Sequence, residues 1–249
     1  MRKVESIPAR TKLPRINKFV IRLKNKCLAL GPCLWCLQKK TETEMLCMDC
    51  ECALPRIDVP GQIWNLLANP AIANHISHQH IDNLVVVSPY QHPLDQWITA
   101  LKFQRRADLA RLLGMLLAKH LQQLFQKYDE KPEILMPVPL HWRRLKIRQY
   151  NQAYLLAKQV SKQCQLPIDY VSLLRKKATA TQVGLGGKKR RGNLRGAFAI
   201  NKGASLPEHV GIIDDVITTG STVNEIARVL KRQGVKKVSV YCVALSVHR

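Results

Sequence analysis

At 249 residues, with 46% hydrophobic and 23% charged residues, the chain holds enough apolar material for one substantial core plus a small accessory module, which excludes the hydrophobically depleted, disordered class. Forty Lys and Arg against 17 Asp and Glu give a formal charge of +23, a field that attracts phosphorylated metabolites or a nucleic acid backbone. The excess is concentrated, because residues 131–206 carry sixteen basic residues and only two acidic ones, Glu133 and Asp169.

The first 30 residues form a basic extension. Residues 19–30 are partly apolar but are interrupted by Arg22, Lys24 and Lys26, so they satisfy neither a signal-peptide core nor a span of about 20 apolar residues. They read as a short amphipathic helix, and no other segment approaches membrane length. The expectation is a soluble, cytoplasmic protein, although basic enrichment of this kind is also found in mitochondrial targeting peptides.

Six of the eight cysteines fall between Cys27 and Cys52. Within them, Cys33 and Cys36, then Cys47 and Cys50, form two CxxC pairs ten residues apart. Each pair can wrap a turn around one side of a tetrahedral ion, so residues 31–55 are expected to form a structural zinc module, too small to fold without the metal. A disulfide pair or a single redox CxxC are the competing readings. Cys27 and Cys52 leave the ligand set open. Cys164 and Cys242 stand alone, as buried thiols.

Residues 56–82 read as a proline-punctuated linker, and residues 83–249 as the main domain. Strands are expected at 83–90, 133–138, 168–174, 209–214 and 237–245, with helices at 92–103, 107–124, 149–164 and 222–233. In 107–124, Leu recurs at 109, 112, 113, 116, 117, 121 and 124, a helical period. Strands alternating with helices predict an α/β fold with a mainly parallel sheet, whose ligands sit beyond the carboxyl ends of the strands.

One such loop stands out. Residues 211–222 read GIIDDVITTGST: an apolar strand that ends in two acids, a run of small hydroxyl residues around a glycine, then a helix. Ionised Asp214 and Asp215 accept hydrogen bonds only, which suits the two hydroxyls of a ribose diol. Backbone amides from Thr218 to Thr222 converge at a helix amino terminus, where a phosphate is favoured. Gly220 allows close approach, and the hydroxyls of Thr218, Thr219, Ser221 and Thr222 add donors. Simple helix capping accounts for one such hydroxyl residue, not four beside an acid pair. No GxxxxGK[ST] and no GxGxxG after a strand occurs, so triphosphate hydrolysis and dinucleotide binding are set aside.

This segment resembles the phosphoribosyl-pyrophosphate (PRPP) signature of type I phosphoribosyltransferases. VPLHWRR (138–144), RQYNQ (148–152), TATQ (179–182), RGNLRGAF (191–198), Leu101-Lys102-Phe103 and the CxxC pairs resemble the ComF family, which includes ComFC and GntX. One departure is Gln149, where the family usually has glycine. The resemblance implies a type I phosphoribosyltransferase-like sheet with a four-cysteine module. It also implies a pyrophosphate-loop position at 138–144, with Arg143 and Arg144 as anion contacts. A mobile basic loop is implied at 176–195, with Lys188, Lys189, Arg190 and Arg191 as further candidates, and magnesium held mainly by pyrophosphate and ribose oxygens.

Three functions remain in view: a PRPP-sensing factor that handles single-stranded DNA in natural transformation or DNA utilisation with competence-machinery partners, a true phosphoribosyltransferase of base salvage, and a zinc-stabilised DNA-binding module with a vestigial site. The basic excess favours the DNA roles, and the intact acid pair opposes a vestigial site.

Overall fold

The computed structural model describes residues 31–38, 45–57, 64–177 and 194–246. The amino-terminal extension, Cys27 and the four basic residues Lys188, Lys189, Arg190 and Arg191 therefore lie outside the described residues. The chain divides into two compact units, Met1–Ala53 and Leu54–Arg249.

In the first unit a short helix, α1 (Met48–Cys52), follows Cys47. Leu34 N–H bonds to the Met45 carbonyl, 2.9 Å, which brings the two CxxC turns side by side.

The second unit is built on a four-stranded, all-parallel sheet in the order β1 (Asn83–Pro89), β6 (Lys237–Leu245), β5 (His209–Ile217) and β2 (Ile134–Pro137). The central strands are almost continuously apolar, as strands covered on both faces must be. One face carries α3 (Leu94–Phe103), α4 (Leu109–Tyr128) and α6 (Gln152–Cys164), and α7 (Ser221–Lys231) lies on the other. Six of the seven periodic leucines of α4 are buried, Leu116 being half-buried. Gly114 lets α4 and α6 approach closely, since a Cβ there would sit 2.6 Å from that of Gln159.

Beyond shifts of a few residues at helix ends, the following differences from the sequence expectations bear on the site. Residues 56–82, expected as a linker, include a 3-10 turn (Leu66–Ala68) and α2 (Pro70–Ala73). Asn65 and Asn69 accept hydrogen bonds from Leu67 and Ala71 N–H at their starts, and Leu66, Ile72 and Ile76 are buried in the core beside α7. The strand expected at 168–174 is only a single parallel bridge, Leu135 to Ile168, followed by β3 (Leu173–Arg175), which pairs antiparallel with β4 (Phe198–Ile200) in a separate ribbon. Residues 142–148 form an additional helix, α5 (Trp142–Arg148), with no buried residue. Strand β5 continues three residues beyond the expected end at Asp214, to Ile217, because the apolar Val216 and Ile217 stay in register with Ala244 and Leu245 of β6. Among the described residues no helix is long and apolar enough to cross a membrane.

Candidate functional site

The carboxyl ends of β2 and β5 carry the candidate residues. The Val138 N–H bonds to the Ile213 carbonyl, 2.9 Å, so the chain leaving β2 starts beside the acid pair. It then turns at His141, whose Nδ1 accepts from Arg143 N–H, and enters α5. Gln149 ends α5 at φ 67°, a left-handed conformation suited to glycine; the turn is kept with a bulkier residue. Asn151 caps α6 through Ala153 N–H and donates to the Val138 carbonyl, 3.0 Å, tying both ends of this excursion together.

Successive strand residues face opposite sides of a sheet, so the two acids do not share a face. Val210 and Ile212 lie in the core on the α7 side, and Asp214, two residues on, shares that side. Asp215 is 3% exposed and lies 3.1 Å from Lys102 Nζ at the end of α3. No sequence pattern links Lys102 to Asp215, because the pairing crosses the sheet between segments more than a hundred residues apart. Tyr150 fixes the lysine's segment by donating to the Leu101 carbonyl, 2.5 Å.

Around the acids, cations outnumber anions. Arg148 lies near both carboxylates and Arg175, on β3, near Asp214; burial depresses both guanidinium pKa values, and Arg144 repels each of them. Buried His141 is also held below its usual value, first by burial and then by Arg143, Arg175 and Arg144. Of the two arginines expected here, Arg144 is half-buried within this cluster and Arg143 is exposed. His141 lies within the 138–144 motif but is given no role by it, and Arg175 lies just before the 176–195 basic loop. Such a cluster is suited to an anion.

Asp214 is pushed up to about 8, by burial and then by the adjacent Asp215, against the pull of Lys102. Its native form thus keeps a proton that the unfolded chain loses near pH 4, about the model-peptide value. The stability this group contributes is complete below that value and is lost as pH rises through about 8. The Asp214→Asn protein, neutral throughout, is expected to gain on wild type as pH rises, melting higher by much more at pH 9 than at pH 5. Thermal unfolding of both proteins at the two pH values checks this, and a difference independent of pH would contradict it.

After Ile217 the chain forms the loop to α7. Thr218 is exposed, Thr219 and Thr222 are half-buried, and Gly220 and Ser221 are buried. Thr219 and Ser221 hydroxyls lie 2.9 Å apart. Gly220 is the cap residue of α7 at φ 68°, and no side chain caps the helix, so the first amides lack the partner that a capping residue supplies. The close approach that Gly220 permits is to the protein's own chain: a Cβ would sit 2.4 Å from Ile76 Cγ2 and 2.8 Å from the Ser77 carbonyl oxygen, while Ser77 N–H bonds to the Thr219 carbonyl. The Gly220→Ala change combines this clash with a left-handed cost of about 1–2 kcal/mol. It is expected to destabilise by more than about 2 kcal/mol, and urea unfolding with an unshifted midpoint would contradict this.

The residues flanking 178–193 are anchored at this end of the sheet. Lys176 N–H bonds to the Ala197 carbonyl, and Gly196 N–H to Glu225 Oε1 of α7, itself paired with Arg228.

In the first unit the Sγ atoms of Cys33, Cys36, Cys47 and Cys50 all lie within 4.8 Å of one another, and those of Cys36 and Cys47 are 3.9 Å apart. A tetrahedral ion with sulfur at about 2.3 Å sets S···S near 3.8 Å, so the donor set fits a metal. Cys52 is exposed and outside this group. Burial raises the Cys33 thiol, but backbone N–H groups of Cys47, Cys36 and Trp35 outweigh it and bring it to about 6, whereas burial and the neighbouring thiols push Cys50 up to about 12.

The chain is 39% identical over 166 residues to Competence protein F of Haemophilus influenzae, covering 66% of this chain and 72% of that one. The chain belongs to the ComF family. Within the family it is also 39% identical over 163 residues to the DNA utilization protein YhgH of Escherichia coli K12, covering 64% and 70% of the two chains. It is 25% identical over 202 residues to Competence protein ComFC of Streptococcus pneumoniae, covering 81% and 76%. Residues 150–248 match the phosphoribosyl transferase domain, in accord with the parallel sheet and the loop after β5.

Proposed function

We propose that this ComF-family chain binds PRPP with magnesium at the β5–α7 loop and acts in DNA uptake or utilisation, as the names of its relatives indicate for those proteins. The observation that carries the ligand assignment is the uncapped amino terminus of α7 directly after a strand bearing Asp214 and Asp215. In this reading the amides and hydroxyls from Thr218 to Thr222 receive the 5-phosphate. Asp214 and Asp215 accept from the ribose hydroxyls, with Lys102 as the counter-ion that supports an ionised Asp215. Arg143, Arg144, Arg148 and Arg175 face the pyrophosphate side, joined by Lys188, Lys189, Arg190 and Arg191. Magnesium, when bound, neutralises part of the pyrophosphate charge, and such ions keep substrate and water ligands. The four cysteines would hold structural zinc. The protein acts in the cytoplasm with single-stranded DNA and competence-machinery proteins as partners.

Calorimetric titration with PRPP and magnesium tests the assignment: one saturable site per chain is expected, and absence of binding would overturn it. Pyrophosphate release stimulated by one base would instead favour the salvage transferase.

A further inference from the structure

Helix α5 is an unusual surface. It is seven residues long, none of them buried, and it leaves Trp142 55% and Ile147 74% exposed. At the neighbouring end of α3, Phe103 is 71% exposed. Each of the two aromatic rings carries cations: Arg143 and Lys146 lie 5.4 and 5.3 Å from the Trp142 ring, and Arg148 lies 5.1 Å from that of Phe103. From Trp142 to Arg148 the helix runs about 9 Å, so the two rings mark separate points along one basic edge that borders the acid pair through Arg148.

We propose that this edge is a stacking platform for the bases of a single-stranded nucleic acid. Single strands are bound by aromatic faces for successive bases and cations for the phosphates between them. Charge decides between possible occupants. A protein groove that covered Trp142 would have to desolvate Arg143 and Lys146 against it, whereas a polynucleotide brings its own counter-charges. Trp142 and Leu145, 43% exposed, share one side of the helix, but Ile147 falls about 140° from Trp142 at about 100° per residue, so the apolar positions make only a two-residue patch flanked by Arg143 and Lys146, too short for a partner helix or a lipid surface. A duplex keeps its base faces stacked inside and offers this edge phosphates alone. The inference rests on the DNA-handling reading above, names its contact surface, and is independent of whether the β5–α7 loop holds PRPP.

The test is fluorescence anisotropy of labelled oligothymidylate and of an abasic oligomer of equal length, with wild type, Trp142→Ala and Trp142→Phe in the full chain. Wild type is expected to bind the oligothymidylate more tightly than the abasic strand. Trp142→Ala is expected to weaken oligothymidylate binding by about 5- to 150-fold, the loss of one base–aromatic stack, while hardly changing abasic binding. Trp142→Phe is expected to restore most of the affinity. Equal affinity of wild type for the two strands, no binding of either, or unchanged oligothymidylate affinity in Trp142→Ala would each overturn the platform. PRPP calorimetry on wild type reports separately on that loop, so a failure of either assignment can be told from a failure of the other.

Discussion

Replacing Asp214 and Asp215 together by Asn is expected to abolish measurable PRPP binding while leaving the chain folded. A hydrogen bond contributes about 0.5–1.5 kcal/mol between neutral groups and about 1.5–3 kcal/mol to a charged one, so losing one at the proton-retaining Asp214 and one at Asp215 weakens binding by roughly 30-fold or more. The fold should survive because Asn keeps the shape of each side chain. The substitution also removes the buried charge of Asp215, which is already matched to Lys102 at 3.1 Å, and the proton-retaining Asp214. Lys102 then loses its partner, but its side chain is 20% exposed and can reach water. Calorimetry with circular dichroism on the same samples checks both halves. Unchanged affinity in a folded double variant would remove these carboxylates from the site.

Removing the zinc that the four-cysteine cluster is proposed to hold is the second large effect expected. Structural zinc supplies about 10–16 kcal/mol in small zinc-finger peptides, far more than helix α1, five residues long and with none of them buried, could replace. Chelation, or Cys33→Ser, is therefore expected to unfold the first unit while the second, with its own sheet and core, remains folded. Limited proteolysis would show cleavage within residues 31–53 and a protected core. Cys52→Ser should keep one zinc per chain, because Cys52 lies outside the cluster. Freshly purified, reduced protein that contains no zinc would contradict the assignment.

How far the sequence could be read depended on how local each feature is. The loop from β5 into α7 was visible because its acids, hydroxyl residues and glycine are consecutive. The leucines of α4 were visible because their period is that of one helix, and the cysteine cluster because each CxxC is a single turn. Pairings between distant segments were not. Lys102 and Asp215 meet only once α3 is laid across the sheet, and Asp214 and Asp215 separate only because β5 runs straight through them. Helix α5 escaped detection for a different reason: without a buried face it has no apolar period, and its ends are set by His141 and by a left-handed Gln149. Gly220 reads in the sequence as a point of close approach, but the tight contact is with Ile76 and Ser77, in a segment expected to be linker.

The proposed function couples a PRPP site to the handling of single-stranded DNA. The most direct measurement is pyrophosphate release and PRPP binding, with magnesium, in the presence and absence of single-stranded DNA. Saturable PRPP binding that shifts the affinity for DNA, with the reciprocal shift that linkage requires, is the predicted result. A chain that binds no PRPP under any of these conditions, or that turns PRPP over with one base and is indifferent to DNA, would contradict it.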